Sequence, residues 1–367
     1  MAVITYQCPN CGGDLRFDPE TQKYRCEYCR SDFEQETMTA LEKEQKDRAM
    51  PTEPAPESGS RQPEEGTAKG AVSGEEPGAV CYTCPSCGAE IVTDEHTTAT
   101  FCYYCHNPVV LAGEMQGEYL PDCVLPFAID KDRAIEIFEQ WISKKKYVPR
   151  AFYVRESIEK ISGVYFPCWL YSCQVDGKLE ADGLKLRTWT AGDFRYTETA
   201  KYDVARSGQM QVSRVTRNAL SKASRELVEG VLPYEMEKLQ PFRTGYLSGF
   251  MAQRRDMEKE QFEKELKTEV QSFAEESLRS QICGYDRLEV RSQSLNIENE
   301  QWQYGLMPVW TLTYRDPKQD KMYYFACNGQ TGKVCGQLPT DRGRLAALFG
   351  VIAGPLFLGL LLAGYLI

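Results

Sequence analysis

The sequence predicts an α+β protein with two small N-terminal zinc ribbons, an α+β body and one C-terminal transmembrane helix. Three observations lead to this prediction. A four-cysteine pattern occurs twice in the first third of the chain, helical and strand-like periodicities alternate after residue 118, and the last 23 residues carry no charge. A chain of 367 residues is long enough for two or more domains.

The doubled cysteine pattern predicts two structural zinc sites. Each copy has two C-x-x-C pairs separated by 14 residues, and the copies are offset by 76 positions. Four thiolates in two such pairs form a closed tetrahedral Zn²⁺ site, which leaves no open position for catalysis. We expect two zinc ions per chain, one in ribbon 1 (residues 1–36) and one in ribbon 2 (residues 81–113). The predicted ligands are Cys8, Cys11, Cys26 and Cys29 in ribbon 1 and Cys84, Cys87, Cys102 and Cys105 in ribbon 2.

Disulfide or redox cysteines are the alternative interpretation of this pattern. A disulfide framework needs an oxidising compartment and a secretory signal. The N-terminus has neither a basic region nor an apolar core, so the sequence favours a reducing cytosol. Gly12 and Gly88 each follow a C-x-x-C pair, where a turn with positive φ suits glycine. Cys81 and His106 stay open as substitute ligands in ribbon 2, although ribbon 1 needs neither.

Residues 37–80 predict a disordered acidic linker because they are rich in Glu, Pro, Gly and Ser and poor in large apolar side chains. The body is predicted at 118–340. Asp130 is a candidate N-cap for an amphipathic helix at 131–145, and a longer charged helix is expected at 254–281. The apolar stripe of this longer helix consists of Phe262, Leu266, Val270 and Phe273. It favours packing on the protein's own sheet, with a coiled-coil seam for a partner as the alternative.

The body shows a possible internal duplication, over about 120–230 and 250–338. Tyr165-Phe-Pro-Cys-Trp-Leu-Tyr is echoed by Leu306-Met-Pro-Val-Trp-Thr-Leu-Thr-Tyr, and each segment follows a predicted helix. Strand-like runs are predicted at 184–190 and 194–204, with turns predicted at the Asp-Gly and Ala-Gly-Asp sequences that separate them from their neighbours. We therefore expect two related modules, each made of a helix and an antiparallel sheet.

Leu345–Ile367 predicts the transmembrane anchor. In a helix its 23 uncharged residues would span about 35 Å, which exceeds a hydrocarbon core of about 30 Å. Arg342 and Arg344 precede the segment, and basic residues stay on the cytoplasmic side. The prediction is a single-pass protein of the inner (plasma) membrane with its N-terminal bulk in the cytoplasm. A buried core helix and a re-entrant hairpin at Pro355 are the alternatives.

The body offers no catalytic constellation, and we predict that the protein is not an enzyme. Its two histidines, His96 and His106, both lie in ribbon 2, which excludes a Ser-His or Cys-His nucleophile in the body. Asn328-Gly-Gln-Thr-Gly-Lys resembles a phosphate loop but lacks its spacing, and a turn after a strand is the favoured interpretation. The net charge of −10 argues against nucleic-acid binding, because phosphates require a basic surface.

Taken together, these motifs resemble a bacterial family of double zinc-ribbon membrane proteins, usually labelled transcription-factor-IIB-type zinc-ribbon proteins. The resemblance covers most of the chain. The motifs that carry it are the two C-P-x-C-G ribbons, Leu125-Pro-Phe, Tyr165-Phe-Pro-Cys-Trp-Leu, Tyr246-Leu-Ser-Gly-Phe, Pro308-Val-Trp and Asn328-Gly-Gln-Thr-Gly-Lys-x-x-Gly-Gln-Leu-Pro. The resemblance implies a membrane-bound adaptor in an envelope-stress response. It also implies partners similar to phage-shock protein A or to flotillin.

The function predicted from the sequence is a zinc-binding, membrane-anchored cytosolic scaffold that docks partner proteins through its ribbons. Closed metal sites, the acidic surface and the single anchor support this prediction. The alternative is a membrane-tethered regulator that binds nucleic acid through the zinc ribbons.

Overall fold

The computed structural model describes residues 3–40, 79–84, 90–94, 96–102, 108–111, 117–145, 147–149, 158–316 and 321–366. The strands in these ranges are β1 (Val3–Ile4), β2 (Leu15–Asp18), β3 (Lys23–Cys26), β4 (Asp32–Phe33), β5 (Ala79–Thr83), β6 (Glu90–Asp94), β7 (Thr97–Phe101), β8 (Pro108–Leu111), β9 (Cys123–Val124), β10 (Ser162–Ala191), β11 (Phe194–Asn218), β12 (Gln240–Pro241), β13 (Met251–Gln253), β14 (Arg287–Asp316), β15 (Lys321–Asn328) and β16 (Val334–Gln337). The helices are α1 (Lys131–Ser143), α2 (Arg225–Glu229), α3 (Glu260–Ser280) and α4 (Arg342–Leu366).

One sheet dominates the described part of the chain. It has eleven strands, with β1-β8-β7-β13-β10-β14-β15-β16 in order and β9, β11 and β12 joined beside this path. β10 is its centre, because it pairs antiparallel with β11 from residue 168 onward and antiparallel with β14 from residue 162 to residue 184. A three-stranded sheet, β2-β3-β4, and a two-stranded sheet, β5-β6, complete the described strands.

The predicted fold class is wrong. The protein is mostly β, and the strands of the two expected modules belong to one sheet instead of two. β10 comes from the first half of the body and β14 from the second, and they pair from Ser162↔Thr311 to Leu184↔Arg287. The physical reason is that segments expected as separate short strands are continuous, so their main-chain groups extend the same ladder.

Four of the motifs that carry the family resemblance each place one residue in a single aromatic cluster in the core. The ring of Phe127 stacks on that of Phe250 at 4.1 Å, and it meets Tyr165 and Trp310 edge to face at 4.9 and 5.1 Å. The indole N–H of Trp310 donates to the Ile129 carbonyl oxygen at 2.9 Å. These residues therefore position the strands of the body, which explains their presence without a binding role.

The helices α1 and α3 cover the sheet much as their apolar periodicity predicts. Asp130 caps α1, since its carboxylate accepts a hydrogen bond from the Arg133 N–H at 2.8 Å. The buried stripe of α3 consists of Phe262, Leu266, Val270, Ala274 and Leu278. Phe273 was predicted in this stripe, but it is 62% exposed because its position points away from the sheet.

Within the described ranges, no helix is long and apolar enough to cross a membrane. The predicted anchor at Leu345–Ile367, the membrane as a partner and the single-pass location in the inner membrane are therefore wrong. The re-entrant turn at Pro355 is wrong as well, because α4 continues through this residue.

Candidate metal centre

Four predicted ligands meet at one end of ribbon 1. The sulfurs of Cys8, Cys11, Cys26 and Cys29 all lie within 4.8 Å of one another. Cys8 Sγ is 3.5 Å from Cys29 Sγ, and Cys11 Sγ is 3.5 Å from Cys26 Sγ. Four sulfurs at about 2.3 Å from a zinc ion form a tetrahedron with edges of about 3.8 Å, so the cluster has the size that zinc requires. Among the described residues, no other His, Cys, Asp and Glu side chains form such a group.

Two tight turns direct these sulfurs to one point. In the first turn, the Cys8 N–H donates to the Gly13 carbonyl oxygen at 2.6 Å and the Gly12 N–H donates to the Cys8 carbonyl oxygen at 2.8 Å. Gly12 has a φ of +74°, which confirms the predicted need for glycine there. In the second turn, the Arg30 N–H donates to the Cys26 carbonyl oxygen at 2.9 Å, and Arg30 has a φ of +57°. An arginine gives no sequence signal for this left-handed conformation.

Hydrogen bonds from Ser31 stabilise the thiolate of Cys29. The hydroxyl and amide of Ser31 lower the pKa of Cys29 to about 6. Ser31 Oγ accepts from Asn10 Nδ2 at 3.1 Å and lies 3.3 Å from Cys29 Sγ, so its own proton can point to that sulfur. The Gly13 amide lowers the pKa of Cys11, but hydrogen bonds with neighbouring cysteine sulfurs raise it more, to about 12. Four thiolates so close together require a cation between them.

The donor set fits a structural zinc ion. Cys8 and Cys26 are buried, whereas Cys11 and Cys29 are exposed, so the site lies at the surface of a packed interior. A zinc ion held by four thiolates has no open position for water or substrate. A metal bound here would cross-link the two turns, because a fold of this size has little core of its own.

The second predicted metal site is described only in part. Cys84 and Cys102 are buried in one apolar cluster with Ile91. Cys87, Cys105 and His106 lie outside the described residues, as does the side chain of Cys81. The second zinc site therefore stays a prediction.

Ribbon 1 is packed on the body through residues 244–249. The Ser248 hydroxyl donates to the Leu15 carbonyl oxygen at 2.5 Å, and the Phe17 N–H donates to the Ser248 carbonyl oxygen at 3.1 Å. Tyr6 Oη and Thr244 Oγ1 are 2.6 Å apart. Leu15, Phe17 and Tyr6 are buried in the same core cluster as the body strands. The body therefore covers one side of the hairpin of ribbon 1, whereas Cys11, Tyr28 and Cys29 at the metal end are exposed.

Ribbon 2 and the N-terminal strand extend the main sheet. β1 pairs with β8, with Val3 opposite Leu111. β7 pairs with β13, with Ala99 opposite Ala252. The first strand of the chain thus contacts ribbon 2, and ribbon 2 in turn contacts the body. Both ribbons are integrated by main-chain hydrogen bonds, in contrast with the docking modules on a tether that the sequence predicts.

The chain can now be compared with known proteins. No protein-family model matches it. The uncharacterized protein YdjG of Bacillus subtilis (strain 168) is 31% identical over 358 residues, which cover 98% of this chain and 96% of YdjG. The chain belongs to the YdjG family. Since the match to YdjG covers nearly all of both chains, the relationship includes the body as well as the ribbons. No solved structure matches the chain.

A second candidate surface lies at the tip of the β10–β11 hairpin. We call residues 184–202 the arm. β14 begins opposite Leu184, and α3 ends at Ser280, so neither element covers the strands beyond these points. The arm is a two-stranded ribbon that projects from the sheet.

Four aromatic side chains share one face of the arm, which we call the aromatic face. Trp189 pairs with Tyr196 across the hairpin, and their rings stack at 5.7 Å. Lys185 Nζ lies 5.6 Å from the Tyr202 ring, and the Arg187 guanidinium lies 5.8 Å from the Trp189 ring. The aromatic residues are 44 to 70% exposed: Trp189, Phe194, Tyr196 and Tyr202.

Sequence reasoning predicted strands at 184–190 and 194–204 but missed this surface. The signal was present as strict alternation. Lys185, Arg187 and Trp189 point to one face, while Thr188 and Thr190 point to the other. The exposure of the arm depends on tertiary structure, because no sequence pattern shows that α3 and β14 leave residues 184–202 uncovered.

Proposed function

We propose that the protein is a non-enzymatic, zinc-binding scaffold that docks other proteins through the aromatic face of its arm. The observation that carries this proposal is the exposure of Trp189, Phe194, Tyr196 and Tyr202 on one face of a projecting hairpin. Monomeric proteins rarely leave so many large aromatic side chains together in water.

The composition of the aromatic face is that of a protein-binding surface. Trp, Tyr and Arg are the residue types that contribute most to binding at protein interfaces, and Trp189, Tyr196 and Arg187 are adjacent here. An isolated two-stranded ribbon is marginally stable in water. Contact with a partner would bury the aromatic rings and stabilise the arm.

The charge of the arm indicates the chemistry of the partner. Residues 184–202 contain four Lys or Arg and two Asp or Glu, a net charge of +2, whereas the whole chain has −10. The expected partner has an apolar surface bordered by carboxylates that lie opposite Lys185 and Arg187. The resemblance described above supplies candidates of the phage-shock-protein-A-like and flotillin-like classes.

In this proposal the zinc site stabilises the scaffold, whereas the sequence predicts that the ribbons dock partner proteins. Ribbon 1 buries its hairpin on the body, so we assign to its metal the stabilisation of the scaffold. Tyr28 is exposed at the metal end, whereas Phe17 and Tyr24, the ribbon 1 rings that pair with each other, are buried.

The proposal is tested by photo-crosslinking in cells that express the full chain. A photoreactive amino acid at Trp189 should give crosslinks to another protein. The same amino acid at Leu186, which is exposed on the opposite face of the same strand, is the matched control and should give few. Purified candidate proteins of the two partner classes are then titrated against the chain. Trp189→Thr should weaken binding by about 30-fold, the usual effect of a 2 kcal/mol hot spot.

Equal crosslinking from both positions would contradict docking through the aromatic face. Crosslinked material that is destroyed by nuclease would instead support the nucleic-acid alternative, with the arm in place of the ribbons. Unchanged affinity of Trp189→Thr for every binding candidate would also exclude the aromatic face as the contact surface.

A further inference from the structure

The outer edge of β11 is open over most of its length. β11 has 25 residues and pairs with β10, and no other described strand pairs with it. The first 19 of its residues, 194–212, contain no proline to block the edge. An open edge presents unpaired main-chain N–H and C=O groups and is a template for another strand.

The charges along this edge complement each other when the strand is paired with a second copy of itself. In an antiparallel pair, residues that lie opposite each other share a face. A two-fold axis at Tyr202 places Lys201 opposite Asp203 of the second copy and Glu198 opposite Arg206 of the second copy. Each contact occurs twice, so the register makes four cross-strand ion pairs, which stabilise a sheet.

Two-fold axes at neighbouring positions on the same edge do not give four cross-strand ion pairs. An axis at residue 201 places Lys201 opposite Lys201, and an axis at residue 203 places Asp203 opposite Asp203. Axes at 200 and 204 oppose no acid with a base. An axis at 199 opposes only Arg195 with Asp203. Because like charges directly opposite each other destabilise a sheet, the pattern favours the axis at Tyr202.

The uncharged residues agree with this register. Tyr196 comes to lie opposite Gly208, where a side chain would meet no atom within 4 Å, and an aromatic ring opposite a strand glycine covers the exposed backbone. Phe194 comes to lie opposite Met210, so the most exposed ring of the arm gains an apolar neighbour.

The ion pairs also continue a network that already exists within one chain. Lys201 Nζ is 2.8 Å from an Asp182 carboxylate oxygen, and Arg291 Nη2 is 2.8 Å from an Asp203 carboxylate oxygen. The Asp203 side chain is still 82% exposed and is accessible to a second cation. Pairing would join the two networks, with Asp203 of one copy between Arg291 of its own chain and Lys201 of the other.

We infer that the protein forms a homodimer in which two β11 strands pair antiparallel about a two-fold axis at Tyr202. The sheets of the two copies then join in the order β14-β10-β11-β11-β10-β14. The aromatic faces lie on the same side of the joined sheet, so the dimer offers two docking surfaces. This inference goes beyond the proposed function and holds even if no other protein binds to the arm.

The test uses the purified full chain alone and two opposite charge reversals. Glu198→Arg places two bases opposite each other, and Arg206→Glu places two acids opposite each other. Analytical ultracentrifugation should show a dimer for the wild type and a rise of about tenfold or more in the dimer Kd for each variant. A mixture of the two variants should form heterodimers again, because each reversed residue then meets an opposite charge.

A disulfide checks the register independently. Opposite residues in an antiparallel pair have Cα atoms about 4.5–5.5 Å apart, within the range for a disulfide. Under mild oxidation, Tyr202→Cys should give a covalent dimer that the wild type and Thr199→Cys do not give.

A wild-type chain that is monomeric at all concentrations would overturn the inference. It would also be overturned if both reversals, folded as judged by circular dichroism, dimerise like the wild type. Failure of the mixture to form heterodimers, or crosslinking of Thr199→Cys in preference to Tyr202→Cys, would exclude the proposed register. None of these measurements involves a partner protein, so they are independent of the test of docking.

Discussion

The contact between ribbon 1 and the body makes a sharp prediction at Gly245. This residue is buried, and a Cβ atom added to it would lie 2.6 Å from Tyr24 Oη and 3.1 Å from Cζ of the same ring. Tyr24 itself is fully buried in the hairpin of ribbon 1. We therefore expect that Gly245→Ala forces ribbon 1 and the body apart locally.

The magnitude follows from the size of the overlap. An ordinary contact requires about 3.4 Å or more, so the ring or the backbone has to move by roughly 0.8 Å. Overpacking of this kind lowers the free energy of unfolding by about 1–3 kcal/mol. Tyr24→Phe removes the nearest atom and the 3.4 Å hydrogen bond to Gln35, so it should cost about 1 kcal/mol.

The assay is a double-mutant cycle measured by urea unfolding of the full chain. In the Tyr24→Phe background, Gly245→Ala should cost much less than in the wild type, with a coupling energy of about 1–2 kcal/mol. Gly350→Ala is the matched control, because a Cβ there meets no atom within 4 Å, and it should not destabilise. If ribbon 1 moved freely on a tether, the two substitutions would be additive within about 0.5 kcal/mol, and the packing described here would be refuted.

Three further predictions concern the metal, the helix α3 and pH. Cys8→Ser should reduce the zinc content of the purified chain by one ion, measured by mass spectrometry of the metal. Leu266→Ala should lower the free energy of unfolding by about 2–5 kcal/mol, whereas Phe273→Ala should leave the urea midpoint nearly unchanged because that ring is exposed. A hydrogen bond from Arg225 lowers the pKa of Glu265 below its ordinary value of 4.5, so this contact stabilises the fold above that value and is lost as the pH falls through the lowered pKa. Arg225→Gln should therefore destabilise more at pH 7 than at pH 3, as judged by urea midpoints.

Features that depend on residues close together in the sequence could be predicted from the sequence. The C-x-x-C spacing predicted the cluster at Cys8, and the N-cap at Asp130 marked the start of α1. The expected turn at Asp182-Gly183 is absent because β10 continues through it. Gly183 lies directly under Tyr285, where a Cβ would be 2.5 Å from the ring, so the glycine serves a close approach and not a turn. That ring comes from a residue about 100 positions away, and no local pattern reveals it.

The fold class was missed for a related reason. Period-2 alternation identifies strands but does not say which strands pair. Two echoing halves are compatible with two small sheets or with one large one. One large sheet forms if Ser162–Leu184 pairs with a strand from the second half of the body. In the structure this segment pairs with β14. The composition of residues 37–80 predicted a linker, but composition does not show whether the modules on either side of it bind the same body.

The integration of ribbon 1 extends what a metal ion bound by its four cysteines would stabilise. Cys8 and Cys26 belong to the same buried cluster as Phe127 and Trp310 of the body. Free energy from metal binding would therefore stabilise the ribbon–body contact as well as the ribbon itself, because a metal binds only when its ligands are arranged. Loss of zinc should uncover the apolar surface at residues 244–249, which the hairpin of ribbon 1 now covers. None of the contacts described for the metal centre involves a residue of the arm, so each can be altered without removing a contact made by the other.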